Sequence, residues 1–380
     1  MKKKIKKLAR KIAAVAPKSG IIRTVLEGTY RAGASIYKRF FGLRRFREAA
    51  NEAIDQHCPE EKKGFARFIL MLKIYGSRVR YGIIPKEYFI YGFNMLSAEG
   101  RGSFVTRSNK YKYYKKFNSR NYVDFLNQKT ETYRKFGEFY GRDVVSLYTD
   151  ADFGSFKSFV EKHPRFIYKP AQDYGGRGIK IYDLKNYDCP EDLFAIIIFN
   201  GACVLEELIV QGEEIARIHP DSVNTVRLVT YHSDSGDTYP QWCFLRMGSG
   251  GSHTDNMSGG GISALVDFET GVVCDCGRDY LGHRYIYHPD TNVQLVGLKL
   301  PHWDEVRGLA CRLAAVLPEV RFVGWDLAYS DRGWVFVEGN AQPQCVAPQI
   351  MSYNGKLRNY KEMDKIYEAD HKALAGGAAK

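Results

Sequence analysis

Nowhere in this 380-residue chain do two cysteines form a CxxC pair; its eight cysteines are scattered from Cys58 to Cys345. Such scatter supports neither a disulfide frame nor a zinc ribbon and fits a reducing cytosol. Long apolar runs are also missing. The longest uncharged one, Leu193 to Phe199, falls far short of the roughly 20 residues that cross a bilayer, and no apolar signal-peptide core is present. Acidic residues are scarce at one place only. Glu27 and Glu48 stand alone against 15 Lys and Arg within residues 1–50, which accounts for the whole net charge of +13. The remainder is electrically balanced. With 44% apolar and 14% aromatic residues the chain can build packed cores, and its length allows two or three domains of about 100 to 200 residues.

The basic arm spans residues 1–47. Ile5, Leu8, Ile12 and Val15 recur at spacings of three and four among lysines, so the spacing predicts an amphipathic basic helix, interrupted at Pro17 and Gly20. A second basic and aromatic stretch runs from Tyr37 to Arg47. This pattern suits an anionic membrane surface, and a helix packed on the body or a solvated arm is the plainer alternative. No nucleic-acid-binding module accompanies it, so nucleic acid is not expected as a partner. Residues 48–125 read as mostly helical, without a chemical motif. From 126 onward, β-like runs alternate with helical stretches such as 303–317, which predicts an α+β core divided at about 208 and 356. Residues 357–380 read as a terminal helix with a frayed tail.

Three motifs in the core carry chemistry. Arg165 to Pro170 and Ile179 to Tyr182 alternate on either side of Gly175, Gly176 and Gly178, which predicts strand, glycine loop, strand. A dinucleotide fingerprint requires a helix after the glycines and is excluded. Such a hairpin can fold amides over a phosphate chain, with Lys169 adding a charge. Asp152-Phe153-Gly154 precedes this loop and no His-Arg-Asp follows, so the order is wrong for a protein kinase. The tripeptide reads as a helix start or a turn element.

Val204 to Ile209 is an apolar strand broken by Glu206 and Glu207. The third motif joins Phe322–Tyr329 to Trp334–Asn340 through a three-residue loop, Asp331-Arg332-Gly333. Pairing Ser330 with Trp334 sets Asp326 opposite Glu338, and places Trp325, Leu327 and Tyr329 on one face with Val335 and Val337. Directly opposed carboxylates repel, so cations are expected between them. With the Asn340 amide oxygen they form a hard donor set suited to Mg²⁺. Arg227 and Arg246 lie in intervening strand-like runs and are candidates to grip a phosphoryl group and a carboxylate.

Taken in order, these motifs resemble the ATP-grasp superfamily, and in particular its sugar-transfer-associated, teichuronopeptide-biosynthesis-like branch. The matching stretches are Lys169 to Gly178, His219 to Arg227, Asp255 to Gly261, and Gly324 to Asn340. The resemblance implies an ATP-grasp fold whose two α+β lobes, 126–208 and 209–356, clasp ATP. It implies Mg²⁺ held by Asp326, Glu338 and Asn340, phosphate contacts from Lys129, Lys169 and the glycines, and an adenine-ribose pocket lined by Glu206 or Glu207 with Leu208. Arg227 and Arg246 would be catalytic, and His219, Asn224 and Asn256 would face substrate. The implied reaction is an ATP- and Mg²⁺-dependent carboxylate–amine ligation through an acylphosphate, on a cell-surface polysaccharide or its lipid-linked precursor. The alternatives are a phosphotransferase acting on a sugar acceptor and a non-catalytic nucleotide-binding protein at the membrane. The basic arm would place the protein in the cytoplasm, at the inner face of the membrane.

Overall fold

The computed structural model describes residues 42–60, 64–172, 178–252 and 254–377. Most of the basic arm, the glycines Gly175 and Gly176, and the last three residues therefore lie outside the described residues. The chain divides into two compact units, Met1–Phe89 and Ile90–Lys380.

In the first unit a helix over 42–57 packs beside the helix Phe65–Tyr81, with the Phe46 ring edge-on to Tyr75 and under the Arg78 guanidinium. Arg67 ties the two helices together through Asn51 and Asp55. The longer helix stops at Gly82, whose left-handed backbone (φ 74°) lets its N–H reach the Arg78 carbonyl; glycine adopts that conformation without a Cβ clash.

Two antiparallel sheets organise the second unit. The smaller has the order β1-β4-β2-β3, built from β1 (Val144–Leu147), β2 (Arg165–Pro170), β3 (Lys180–Asp183) and β4 (Cys203–Glu207). Strand alternation sends Phe166, Tyr168 and Leu205 into a core covered by the helices Phe153–Lys162 and Pro190–Phe199. The intervening residues Lys169 and Glu206 point out of the other face. Asp152-Phe153-Gly154 starts the first of these helices, where the Asp152 carboxylate accepts the Tyr148 and Thr149 N–H groups.

The larger sheet has the order β11-β10-β5-β6-β7-β8-β9: β5 (Thr225–His232), β6 (Thr238–Met247), β7 (Ile262–Leu265), β8 (Gly277–Arg278), β9 (Arg284–Tyr285), β10 (Phe322–Ser330) and β11 (Gly333–Asn340). β5 and β10 are buried along their whole lengths, because both faces of the sheet are covered. Helix Trp303–Val316 packs on the face of Val226, Leu228, Trp325 and Leu327. On the opposite face Phe117 and Tyr360, from the helices Arg107–Phe117 and Leu357–Gly377, meet Tyr231 and Phe322. Arg227, Asp326 and Arg246 lie further along that same face, beyond Tyr231 and Phe322.

The β10–β11 register corrects one expectation at the turn. Ser330 pairs with Gly333 rather than Trp334, and Phe336, not Val335 and Val337, joins Trp325 and Leu327 in the core. A bulge at Val337 then restores the expected opposition of Asp326 and Glu338.

Candidate active site

Asp326 sits on the central strand β10, and its neighbours are dictated by the ladder. β5 places Arg227 directly beside it, and Arg246 on β6 stands opposite Thr225, one alternation further along the same face. Arg227 grips the carboxylate at both oxygens, through Nε to Oδ1 and Nη2 to Oδ2 (2.7 Å), and Arg246 Nη1 adds a third bond to Oδ2 at 2.8 Å. Arg246 Nη2 continues to Asp255 Oδ1 at 2.8 Å, and the Thr225 hydroxyl donates to the other Asp255 oxygen. The result is a buried chain of alternating charge running from Arg227 to Asp255. Burial alone raises a carboxyl pKa, but the two guanidiniums outweigh it for Asp326 and hold it at about 2; at Asp255 burial prevails and the pKa is raised.

Gly324 makes room for this cluster. A Cβ there would stand 3.0 Å from Pro343 Cβ and 3.1 Å from Arg227 Cδ, so the bare backbone lets the Arg227 side chain lie across it.

The smaller sheet contributes a second ionic group. Lys169 Nζ lies 2.7 Å from Glu206 Oε1, and Arg142 binds Glu206 Oε2 through Nη2 at 2.5 Å. Arg142 also donates to the carbonyls of Tyr140 and Phe336, which joins the smaller sheet to β11. Glu206 is pulled down to about 2 by these cations against its burial, whereas burial lowers Lys169. Glu207 instead pairs with Arg332 on the rim, and Leu208 is half-buried beyond it.

Lys129 links the two groups. Its backbone N–H donates to the Ala171 carbonyl at the end of β2, and its ammonium lies 3.4 Å from Glu338 Oε2. Asn340 Nδ2 approaches Glu338 Oε1 at 3.2 Å, which turns the amide oxygen away from that carboxylate. The structure thus brings together Lys129, Lys169, Glu206, Arg227, Arg246, Asp326, Glu338 and Asn340.

Other candidates make contacts within local architecture, with the Asn224 Oδ1 buried and without a hydrogen-bond partner among the described residues. Asn224 is buried and donates to Gln211, Ile215 and His219. His219 is buried with Nδ1 3.0 Å from Ser222 Oγ, and both pack on Gly248. Asn256 caps the short turn Met257–Gly259. Gly178 has a left-handed backbone (φ 88°), where a Cβ would meet Pro170 at 3.0 Å. Arg142, Asp255 and Thr225 were missed as site residues. Asp255 stands in a motif already noted, but a lone Arg before a strand gives no signal for Arg142.

Oxygen chemistry at the hairpin end fits Mg²⁺. Glu338 is partly exposed, and the Asn340 amide, whose NH₂ faces Glu338 here, would bring its oxygen alongside by turning over about its terminal bond; three of the roughly four lone-pair positions of Asp326 are taken by arginines. Glu338 and Asn340 would carry most of the coordination, with one position left at Asp326. Among the described residues no group of three His, Cys, Asp or Glu is set to hold a metal, in keeping with a donor set of only two acids and an amide.

Residues 108–365 match the family model described as sugar-transfer associated ATP-grasp. The chain belongs to that family. Members of the ATP-grasp fold are ATP-dependent ligases. Among solved structures the ATP-grasp chain is similar to the ATP-grasp ligase PsnB complexed with minimal precursor (12% identity, TM-score 0.40, 66% of this chain). It is also similar to the ADP complex of the N5-carboxyaminoimidazole ribonucleotide synthetase purK (12%, 0.39, 63%) and to D-alanyl-alanine synthetase A from Vibrio cholerae (11%, 0.38, 65%). It spans 64%, 52% and 65% of those three proteins' own lengths. No curated protein matches it.

Proposed function

We propose that this ATP-grasp chain is an ATP- and Mg²⁺-dependent carboxylate–amine ligase acting on a cell-surface polysaccharide or its lipid-linked precursor. In this reading an oxygen of the substrate carboxylate attacks the γ-phosphorus of ATP, ADP departs, and an acylphosphate forms. An amine then attacks the acyl carbon and phosphate leaves. The observation that carries the proposal is the convergence of Lys129, Lys169, Arg227 and Arg246 with Asp326, Glu338 and Asn340 around one end of the β10–β11 hairpin.

Each residue has a part in that reading. Lys129 and Lys169 meet the nucleotide phosphates, while Glu338 and Asn340, with the remaining position on Asp326, hold the divalent ion. When bound, that ion would neutralise negative charge on the nucleotide phosphates. Arg227 and Arg246 each direct two of their five N–H donors at carboxylates, so the same guanidiniums can also donate to a transferring phosphoryl oxygen. A fixed donor of this kind is worth roughly 3 to 4 kcal/mol to a transition state. Asp326 holds both arginines in place. The basic segment 1–47 would bring the enzyme to the anionic inner face of the membrane, where a lipid-linked acceptor resides.

Calorimetric titration of ATP into the full chain, with and without Mg²⁺ and in the wild type and Glu338→Gln, tests the site. Binding that requires Mg²⁺ and weakens at least tenfold in the variant is expected. Equal ATP affinity in all four titrations would refute the assignment.

A further inference from the structure

Helix Phe65–Tyr81 leaves a large apolar face in solvent. Phe65 is 77% exposed, Phe68 57%, Leu72 49%, Tyr75 42% and Val79 71%, whereas only Ile74 and Ser77 of the helix are buried. At about 100° per residue these five side chains fall within an arc of about 80°. Lys73 and Arg80 flank that arc on one side and Arg78 on the other, each about 100 to 120° from its centre, whereas Arg67 is turned inward onto Asn51 and Asp55. The helix contains no acidic residue.

We propose that this face docks on an anionic lipid surface, with the Phe65–Phe68–Leu72–Val79 stripe entering the headgroup layer and the flanking cations reaching lipid phosphates. A surface helix of a globular unit turns most of its large apolar side chains inward; here Ile74 and the half-buried Leu70 do so beside Ser77, while the larger set, Phe65, Phe68, Leu72, Tyr75 and Val79, faces outward. Two alternative occupants come from the chain itself, and charge disfavours both. A second copy would set three cations, Lys73, Arg78 and Arg80, against three. Its 3-4 spacing also lasts for little more than two heptads, short of the three or four that sustain a coiled coil. Residues 1–41 carry twelve Lys and Arg against Glu27 alone, so they too would bring cations against cations. An anionic bilayer answers both features at once, taking up the apolar stripe at the acyl boundary and pairing with the cations on either side. This contact stands apart from the one proposed for residues 1–47 and does not rest on it.

The test is sedimentation of the full chain with vesicles of phosphatidylcholine alone or mixed with phosphatidylglycerol. Wild type, F65S/F68S/L72S and a deletion of residues 2–16 are compared, and the oligomeric state of each is measured by analytical ultracentrifugation. The substituted side chains are exposed, so the fold should persist, checked by circular dichroism. Partition of the wild type into anionic vesicles is expected to fall roughly tenfold or more in the serine variant. A Phe68→Trp variant adds a local readout, because the natural tryptophans 242, 303, 325 and 334 all lie in the other unit. Its emission is expected to be quenched by brominated lipid beyond the wild-type level.

Three results would overturn the proposal. Unaltered partition of the serine variant, with loss only on deleting 2–16, would assign membrane contact to the arm alone. Conversion of a lipid-free wild-type dimer to a monomer in the serine variant would make the face an interface between copies. Failure of the wild type to bind anionic vesicles would leave an acidic protein groove as the occupant.

Discussion

Asp326→Asn and Glu338→Gln each remove one negative charge from the same hairpin end, yet they should differ sharply in what they cost the fold. Asp326 is buried and accepts three N–H groups from Arg227 and Arg246, so the amide leaves two buried guanidiniums short of a counter-charge. Breaking a buried pair this way costs about 3 to 5 kcal/mol. Glu338 is 39% exposed and meets Lys129 only at 3.4 Å, so its loss should cost less than about 1 kcal/mol. The pH dependence separates them further. The folded Asp326 pKa, about 2 against an ordinary 3.8, is depressed, so its stabilisation is present above pH 4 and is lost as the pH falls through 2. That shift is equivalent to about 2 to 3 kcal/mol, of which about 1 kcal/mol should be gone by pH 3. Urea denaturation of the three proteins at pH 7, 5 and 3 measures both effects. Equal destabilisation by the two substitutions, or a gap between wild type and Asp326→Asn that stays constant from pH 5 to 3, would refute the assignment of the buried pair.

Gly324→Ala should push Arg227 off Asp326, since its Cβ would stand 3.1 Å from Arg227 Cδ and 3.0 Å from Pro343. A loss of about 1 to 3 kcal/mol by thermal denaturation, with a fall in ATP turnover, is expected, and wild-type behaviour in both would contradict the packing. Glu206→Gln leaves Lys169 and Arg142 buried without a carboxylate and should cost about 3 to 5 kcal/mol. Adding Lys169→Met should recover part of that loss; a double variant less stable than the single one would show that an unpaired buried Lys169 is not the source of the cost.

Much of this site was legible because strand alternation has a period of two. It assigned Asp326 and Glu338 to one face and set Lys169 beside a glycine hairpin. What alternation cannot give is the lateral order of strands. β4 enters between β1 and β2, so Lys169 meets Glu206 on β4, and a carboxylate expected at a nucleotide pocket is instead clamped by Lys169 and Arg142. The β10–β11 hairpin shows the same limit on a smaller scale. The turn closes one residue earlier than its Asp331-Arg332-Gly333 signal suggests, and Val337, an ordinary strand residue, takes up the difference as a bulge. No glycine marks that bulge. The two deviations cancel at Asp326 and Glu338 but not at Phe336, which turns into the core. The helix Arg107–Phe117 falls in the stretch 48–125 expected to be mostly helical, but its role as the cover over Tyr231 and Phe322 was not legible, because helical character does not say what a helix packs on.

The ionic pairing at the site bears on why ATP binding should need a divalent ion. Five cations, Arg142, Lys169, Lys129, Arg227 and Arg246, stand among four acids, Glu206, Glu338, Asp326 and Asp255. Their closest contacts are already with one another, so a polyphosphate entering this end of the hairpin meets little unbalanced positive charge. In the proposed site it would bind by exchange. The pair with least to lose is Lys129–Glu338, the longest and most exposed of the set, whereas Arg227–Asp326 is buried and doubly bonded. Turning Lys129 toward phosphate leaves Glu338 beside the incoming anion, where like charges repel unless a cation enters with it. Nucleotide and metal are then thermodynamically linked through that one carboxylate, each raising the affinity of the other by the same factor. Glu338→Gln removes the repulsion together with the metal ligand, so the variant should bind free ATP no more weakly than the wild type while losing the gain that Mg²⁺ confers.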